Sequence, residues 1–189
     1  MKAVLISIQP KWCEKIASGE KTVEIRKTKP KLETPFKCYI YMTTGDASIP
    51  DGHGMIHHHS GGKCVIGEFV CNRIDEFSRR ITTFENTRCG SFVPKEELAK
   101  TCLEVVTIND YLKGSPGYFW HISDLKIYRA PKSLRCFRNP CAEYEKDDPR
   151  CGNCDYYHSM GEYPAECVCD GAKPVARPPQ SWFYVEEIK

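Results

Sequence analysis

Ile16-Ala17-Ser18-Gly19-Glu20-Lys21-Thr22-Val23-Glu24-Ile25-Arg26-Lys27 is the stretch on which the rest of the sequence turns. Ahead of it, Pro10 sits where a helix favours its first residue, Trp12, Ile16 and Ala17 recur at helical spacing, and Gly19 stops the run. This predicts a short amphipathic helix plugging one end of a barrel. Beyond the glycine, Thr22 to Arg26 alternates strictly. Side chains on a strand point to opposite faces in turn, so Val23 and Ile25 are expected to face the core and Thr22, Glu24 and Arg26 the other side.

Lys21 at the turn then joins Glu24 and Arg26 in a polar group of two cations and one carboxylate. A guanidinium grips a phosphate or a base edge with a planar fork, and an ammonium supplies a point charge. Glu24 can accept from an exocyclic amine or act as a general base. The plainer reading is an exposed ion pair, worth about 0–1 kcal/mol. A phosphate-binding P-loop is excluded, because that motif needs glycines where this chain has Lys15 and Glu20.

Working outward, Val4–Ile8 reads as a buried strand, Lys37–Met42 and Cys64–Cys71 as further strands, and Tyr118–Tyr128 and Trp182–Ile188 as the last two. Pro94–Thr101 and Thr107–Leu112 read as short helices. Strands outnumber helices and their spacing is irregular, which predicts an α+β fold: a mixed β-barrel with short peripheral helices. Residues 45–62, with His53 and the run His57-His58-His59, read as a glycine-rich mobile loop beside the cleft, able to offer two imidazoles to a metal.

The chain has 189 residues, enough for one packed domain and a small appendage. Lys+Arg number 27 and Asp+Glu 25, a formal charge of +2, so a nucleic-acid partner would have to be held by a local cluster. Lys27, Lys29, Lys31 and Lys37, kept extended by Pro30 and Pro35, are such a run. Tyr39 with Tyr41, Tyr118 with Trp120, and Trp182 are aromatics able to stack bases or to pack at a barrel rim; rim packing is the expectation for Trp182. Ala3 to Ile8 is too short for a signal-peptide core or a membrane span, so a soluble, cytoplasmic protein without a membrane partner is expected.

Of twelve cysteines, Cys13, Cys38, Cys64, Cys71, Cys89 and Cys102 lie mostly in apolar runs and read as small core residues. The other six fall between Cys136 and Cys169, where no hydrophobic period survives. Residues 136–178 therefore read as a Cys-rich insertion into a domain formed by residues 1–135 and 179–189. Cys151-Gly152-Asn153-Cys154 is a C-x-x-C knuckle, and a segment with so little aliphatic content needs a metal to fold. Cys141, Cys151, Cys154 and Cys167 are the expected ligands of a structural zinc ion, with Cys136, His158 and Cys169 in reserve. Four sulfur ligands leave no open position, so such a zinc is not catalytic.

Ser7-Ile8-Gln9-Pro10-Lys11 followed by the stretch from Ile16 to Lys27 resembles the N-terminal signature of the ASCH (activating-signal-cointegrator homology) domain family, with its G-x-K-T-x-E-x-R turn-strand. Val65-Ile66-Gly67-Glu68-Phe69 resembles its internal strand, and Pro178-Pro179-Gln180-Ser181-Trp182-Phe183-Tyr184-Val185 the ending of bacterial and phage members. The resemblance implies a PUA-like β-barrel and an RNA, single-stranded nucleic acid or nucleotide ligand in a cleft lined by Lys21, Thr22, Glu24 and Arg26. Gln180 and Ser181 are candidates to bond the ligand's edge. Some small members resemble acetylcytidine amidohydrolases, and ribonuclease activity has been proposed for others. Those amidohydrolases use a lysine matching Lys21 and a threonine where this chain has Glu24, so the threonine nucleophile does not carry over. Three functions follow as expectations: a nucleic-acid or modified-nucleotide binding module, a small hydrolase with Lys21 and Glu24 as catalytic pair, or a zinc-stapled protein-interaction module.

Overall fold

The structure is a computed structural model that describes residues 2–51, 53, 55–78, 80–85, 90–140 and 174–188. In chain order the elements are β1 (Lys2–Ile8), α1 (Pro10–Ala17), β2 (Val23–Arg26), β3 (Phe36–Met42), β4 (Ala47–Pro50), β5 (Ile56–His59) and β6 (Cys64–Phe77). There follow β7 (Ile81–Thr82), β8 (Ser91–Phe92), α2 (Lys95–Ala99), α3 (Val105–Leu112), β9 (Gly117–Lys132), a 3-10 turn (Leu134–Cys136) and β10 (Trp182–Glu186).

Pro10 opens α1, where a missing N–H costs nothing, and Gly19 follows with φ of +80°, a conformation that favours glycine. The helix turns Cys13 and Ile16 into the core. Six strands form one mixed sheet in the order β10-β1-β3-β6-β9-β2, in which only β1 and β3 run parallel. β6 and β9 are the long strands that carry it, and both are bulged, with register shifts such as the one between Cys71 and Ile74. Bulges bend a strand and re-aim its side chains.

Among the described residues no backbone ladder joins β2 to β10, the two outer strands. Side chains span that gap instead. Arg26 of β2 donates from Nη2 to the Ser7 carbonyl at 2.6 Å and from Nη1 to Ser181 Oγ at 3.4 Å. Trp182 Nε1 donates to Thr28 Oγ1 at 3.0 Å, and the Lys31 amide donates to Tyr184 Oη at 2.6 Å. The expected barrel is thus a sheet whose edges meet at a polar seam.

Three apolar clusters follow. Val4, Ile6, Ile8, Cys38, Ile40, Met42, Ile66 and Trp120 pack on one face with Cys13 and Ile16 of α1. Ala3, Leu5, Tyr39, Tyr41, Val65, Tyr128 and Val185 pack on the other, with Phe137 and Val175. The chain leaves the described structure just beyond Arg138 and returns at Pro174, and those two residues bridge. The third cluster joins Val23, Ile25 and Phe119 to Ile81, Val93, Ile108 and Leu112.

Four expectations are corrected here. Val23 and Ile25 do face apolar partners, but those belong to residues 81–112, which fold over the outside of β2; Glu24 and Arg26 face the sheet's main interior. Tyr39 and Tyr41 are buried in the second cluster and offer no stacking face. The histidine segment is the β4–β5 hairpin, not a loop. His57 bonds Asp51 at 3.0 Å, and this bond, with the His53 and Met55 amides, holds the Asp51 carboxyl down at about 2. Finally, two of the four lysines in the run after β2 are held by carboxylates: Lys29 pairs with Glu76 at 2.9 Å and Lys37 with Glu187 at 3.0 Å. Among the described residues no helix is long and apolar enough to cross a membrane.

Candidate nucleic-acid interface

Cross-strand register settles which way the β2 side chains point. In the antiparallel β2–β9 pair, Glu24 stands opposite Trp120 and Arg26 opposite Tyr118, while Ile25 stands opposite Phe119. Residues directly opposite share a face. Glu24 and Arg26 therefore lie on the face of Trp120, which is fully buried in the main core.

Lys21, Glu24 and Arg26 meet there. Lys21 Nζ is 3.3 Å from Glu24 Oε2, and Arg26 Nη2 is 3.1 Å from Glu24 Oε1. The ion pair expected at a surface is internal instead: the three residues are 2%, 8% and 8% exposed. Burying charges is tolerated only when they are paired and hydrogen-bonded. Lys21 meets that condition fully, because Nζ also donates to the Val23 and Thr101 carbonyls, both at 2.8 Å. The ammonium thus has two carbonyl acceptors and one carboxylate counter-charge. Trp12 adds a ring face 5.4 Å from Nζ.

Arg26 is less completely satisfied. Its Nη atoms bond Ser7, Ser181 and Glu24, but Nε–H is buried without a partner among the described residues. Trp120 Nε1–H, on the strand position facing Glu24, is orphaned in the same way. A buried donor without an acceptor costs about 1–3 kcal/mol. Both lie on the face that carries Glu24.

The surroundings are aromatic. Tyr111 of α3 is within electrostatic reach of Arg26 and Glu24, and burial pushes its hydroxyl up. Lys27 Nζ lies 5.0 Å from the Tyr111 ring centre. Trp182 packs against Trp120 and Tyr184, with centroids 5.8 and 5.5 Å apart, in keeping with rim packing. Burial pushes the Cys38 thiol well up, helped by Cys71, and the nearby Arg26 guanidinium opposes that rise.

Of the residues singled out in the sequence, Lys21, Glu24, Arg26 and Ser181 come together. Gln180 is exposed, and Thr22 turns away into a separate cleft beside His121. Ser7, Thr101, Trp120 and Tyr111 were missed as members of the group. Ser7 sits in the signature itself, but its contribution is a carbonyl, which no side-chain pattern reports. The expected zinc ligands Cys141, Cys151, Cys154 and Cys167, and also His158 and Cys169, lie outside the described residues. Among the described residues no group of three or more metal-binding side chains occurs.

A six-stranded mixed sheet with few short helices, one of them packed into its main core, matches an ASCH/PUA-like α+β fold. The solved structures agree: the ASCH protein from Zymomonas mobilis matches at 19% identity with a TM-score of 0.52, covering 98% of this chain and 88% of that one. A single-substitution variant of the same protein matches at 18% identity and TM-score 0.52, covering 98% and 89%. The chain has the ASCH-domain fold. No protein-family model matches the sequence, and no curated protein matches it either.

Proposed function

We propose that the face bearing Lys21, Glu24 and Arg26 binds a base of RNA, of another single-stranded nucleic acid or of a modified nucleotide, and does so as a binding module. The observation that carries this reading is the pair of buried, unpartnered donors, Arg26 Nε–H and Trp120 Nε1–H, on the face that carries the Glu24 carboxylate. A nucleobase edge offers the complement: carbonyl oxygens and ring nitrogens for the donors, and an exocyclic amine for the carboxylate. Exposed Gln180 and half-buried Ser181 form the rim through which the base enters, and exposed Lys27 stands outside to meet phosphate.

Binding is favoured over chemistry by the state of Lys21. Its ammonium is buried, hydrogen-bonded to the Val23 and Thr101 carbonyls and ion-paired with Glu24, which leaves it little freedom to reach a substrate. Its role here is to hold Glu24 and the turn in place.

Titration of the full chain with short single-stranded RNA at two salt concentrations tests the proposal. Arg26→Ala is expected to weaken binding at least tenfold, with wild-type affinity falling as salt rises. An affinity indifferent to both salt and Arg26→Ala excludes this face as the site. Turnover of acetylcytidine that survives purification and disappears in Lys21→Ala would replace the binding reading with the hydrolase.

A further inference from the structure

A second polar constellation lies on the opposite side of β2. A cleft of about 450 Å³ is lined by Thr22, Asn72, Arg73, Lys100, His121 and Ile122. The register shift between Cys71 and Ile74 lies at Asn72 and Arg73, where Arg73 meets His121 of β9. Thr22 and Lys100 are joined through backbone, since the Thr22 and Val23 amides both donate to the Lys100 carbonyl.

The acids of this region stand behind the donors. Asp75 Oδ2 is 2.7 Å from His121 Nε2 and 3.1 Å from Arg73 Nη2. Glu97 Oε1 holds Lys100 Nζ at 2.6 Å, and its Oε2 lies 3.7 Å from Arg73. Lys100 and its neighbours keep the Glu97 carboxyl below its ordinary range. Neither carboxylate lines the cleft. They fix the cations in position and leave most of the donors unspent. All of Arg73's partners among the described residues are met through Nη2, so Nη1 and Nε are open. Lys100 has two N–H bonds left after Glu97. The Asn72 amide and the Thr22 hydroxyl have no hydrogen bond among the described residues.

We infer that this cleft binds a phosphate group, with Arg73 and Lys100 as the charged contacts and Thr22 and Asn72 as neutral donors. A fork of guanidinium N–H bonds matched to a tetrahedral oxyanion, next to an ammonium, is the arrangement phosphate selects. Room beyond an inorganic phosphate fits a phosphate carried by a nucleotide or by a nucleic-acid backbone. The inference does not depend on the base site around Arg26, which lies on the other face of the strand.

Titration of the full chain with inorganic phosphate, a nucleoside monophosphate and a short abasic strand tests it, followed by amide shifts and calorimetry. Arg73 and Lys100 are 55% and 46% exposed at the side chain, so Arg73→Ala and Lys100→Ala leave the core intact. Each is expected to weaken phosphate binding at least fivefold. Tighter binding of the monophosphate names a free nucleotide as the source; tighter binding of the abasic strand, with a shallower salt dependence in Lys100→Ala, names a backbone. Absence of phosphate binding, or equal affinity in wild type and Arg73→Ala, overturns the inference.

Discussion

Individual side chains in this molecule are defined by what surrounds them more than by their type. Cys13, Cys38 and Cys71 are buried, and burial is the main force raising all three thiols, Cys71 up to about 12. The thiolate is the reactive form, so a raised thiol is protected at ordinary pH twice over, by access and by protonation. Alkylation of the native chain at pH 8 is therefore expected to label exposed Cys136 at once and to spare Cys13, Cys38 and Cys71 until denaturant is added. Peptide mass spectrometry reads the sites; labelling of Cys38 as fast as Cys136 would contradict the packing described. The expectation that scattered cysteines act as small core residues holds for these three, whereas Cys64 and Cys102 are only partly buried and Cys89 lies outside the described residues.

Among the elements, the contact between β6 and β9 carries the fold. Gly67 lets the two strands approach: a Cβ there would stand 2.5 Å from the Lys126 carbonyl oxygen, which is backbone and cannot swing aside. Gly67→Ala is expected to destabilise the chain by about 1–3 kcal/mol, the range for overpacking a tight site. Denaturant unfolding measures it, and an unchanged midpoint would mean the strands are freer to part than their register implies. The sequence named Gly67 as part of a strand but not its neighbour. By contrast, α1 could be read directly, since proline, glycine and a 3.6-residue apolar period are all local signals. The β4–β5 hairpin could not: its glycines and histidines have loop composition, and pairing between residues 47 and 59 is what makes strands of it.

At the scale of the whole molecule, the Cys-rich insertion between β9 and β10 sets the next test. We propose that one structural zinc ion, held by Cys141, Cys151, Cys154 and Cys167, organises residues 136–178. Elemental analysis of protein purified without chelator is expected to give about one zinc per chain, falling toward zero in Cys151→Ser with Cys154→Ser. Chelation is expected to loosen only the insertion, because the bridge from Arg138 to Pro174 closes its base and Phe137 and Val175 are anchored in the second apolar cluster. Metal-free protein with unchanged proteolytic resistance in that segment would rule the zinc out.

What the amino-acid order determined alone was local. The helix before Gly19, the alternating strand after it, most later strands and the crowding of Lys21, Glu24 and Arg26 into six residues follow from periods of two and 3.6 and from turn chemistry. Only the tertiary structure decided that this polar group is buried rather than exposed. Lys21 reaches across 80 positions to Thr101 and Arg26 across 155 to Ser181, and the orphaned Trp120 N–H joins them through strand register. Such contacts depend on how far the sheet curls and on which segment covers its outer face. Those are properties of the assembled sheet, and no window of sequence contains them.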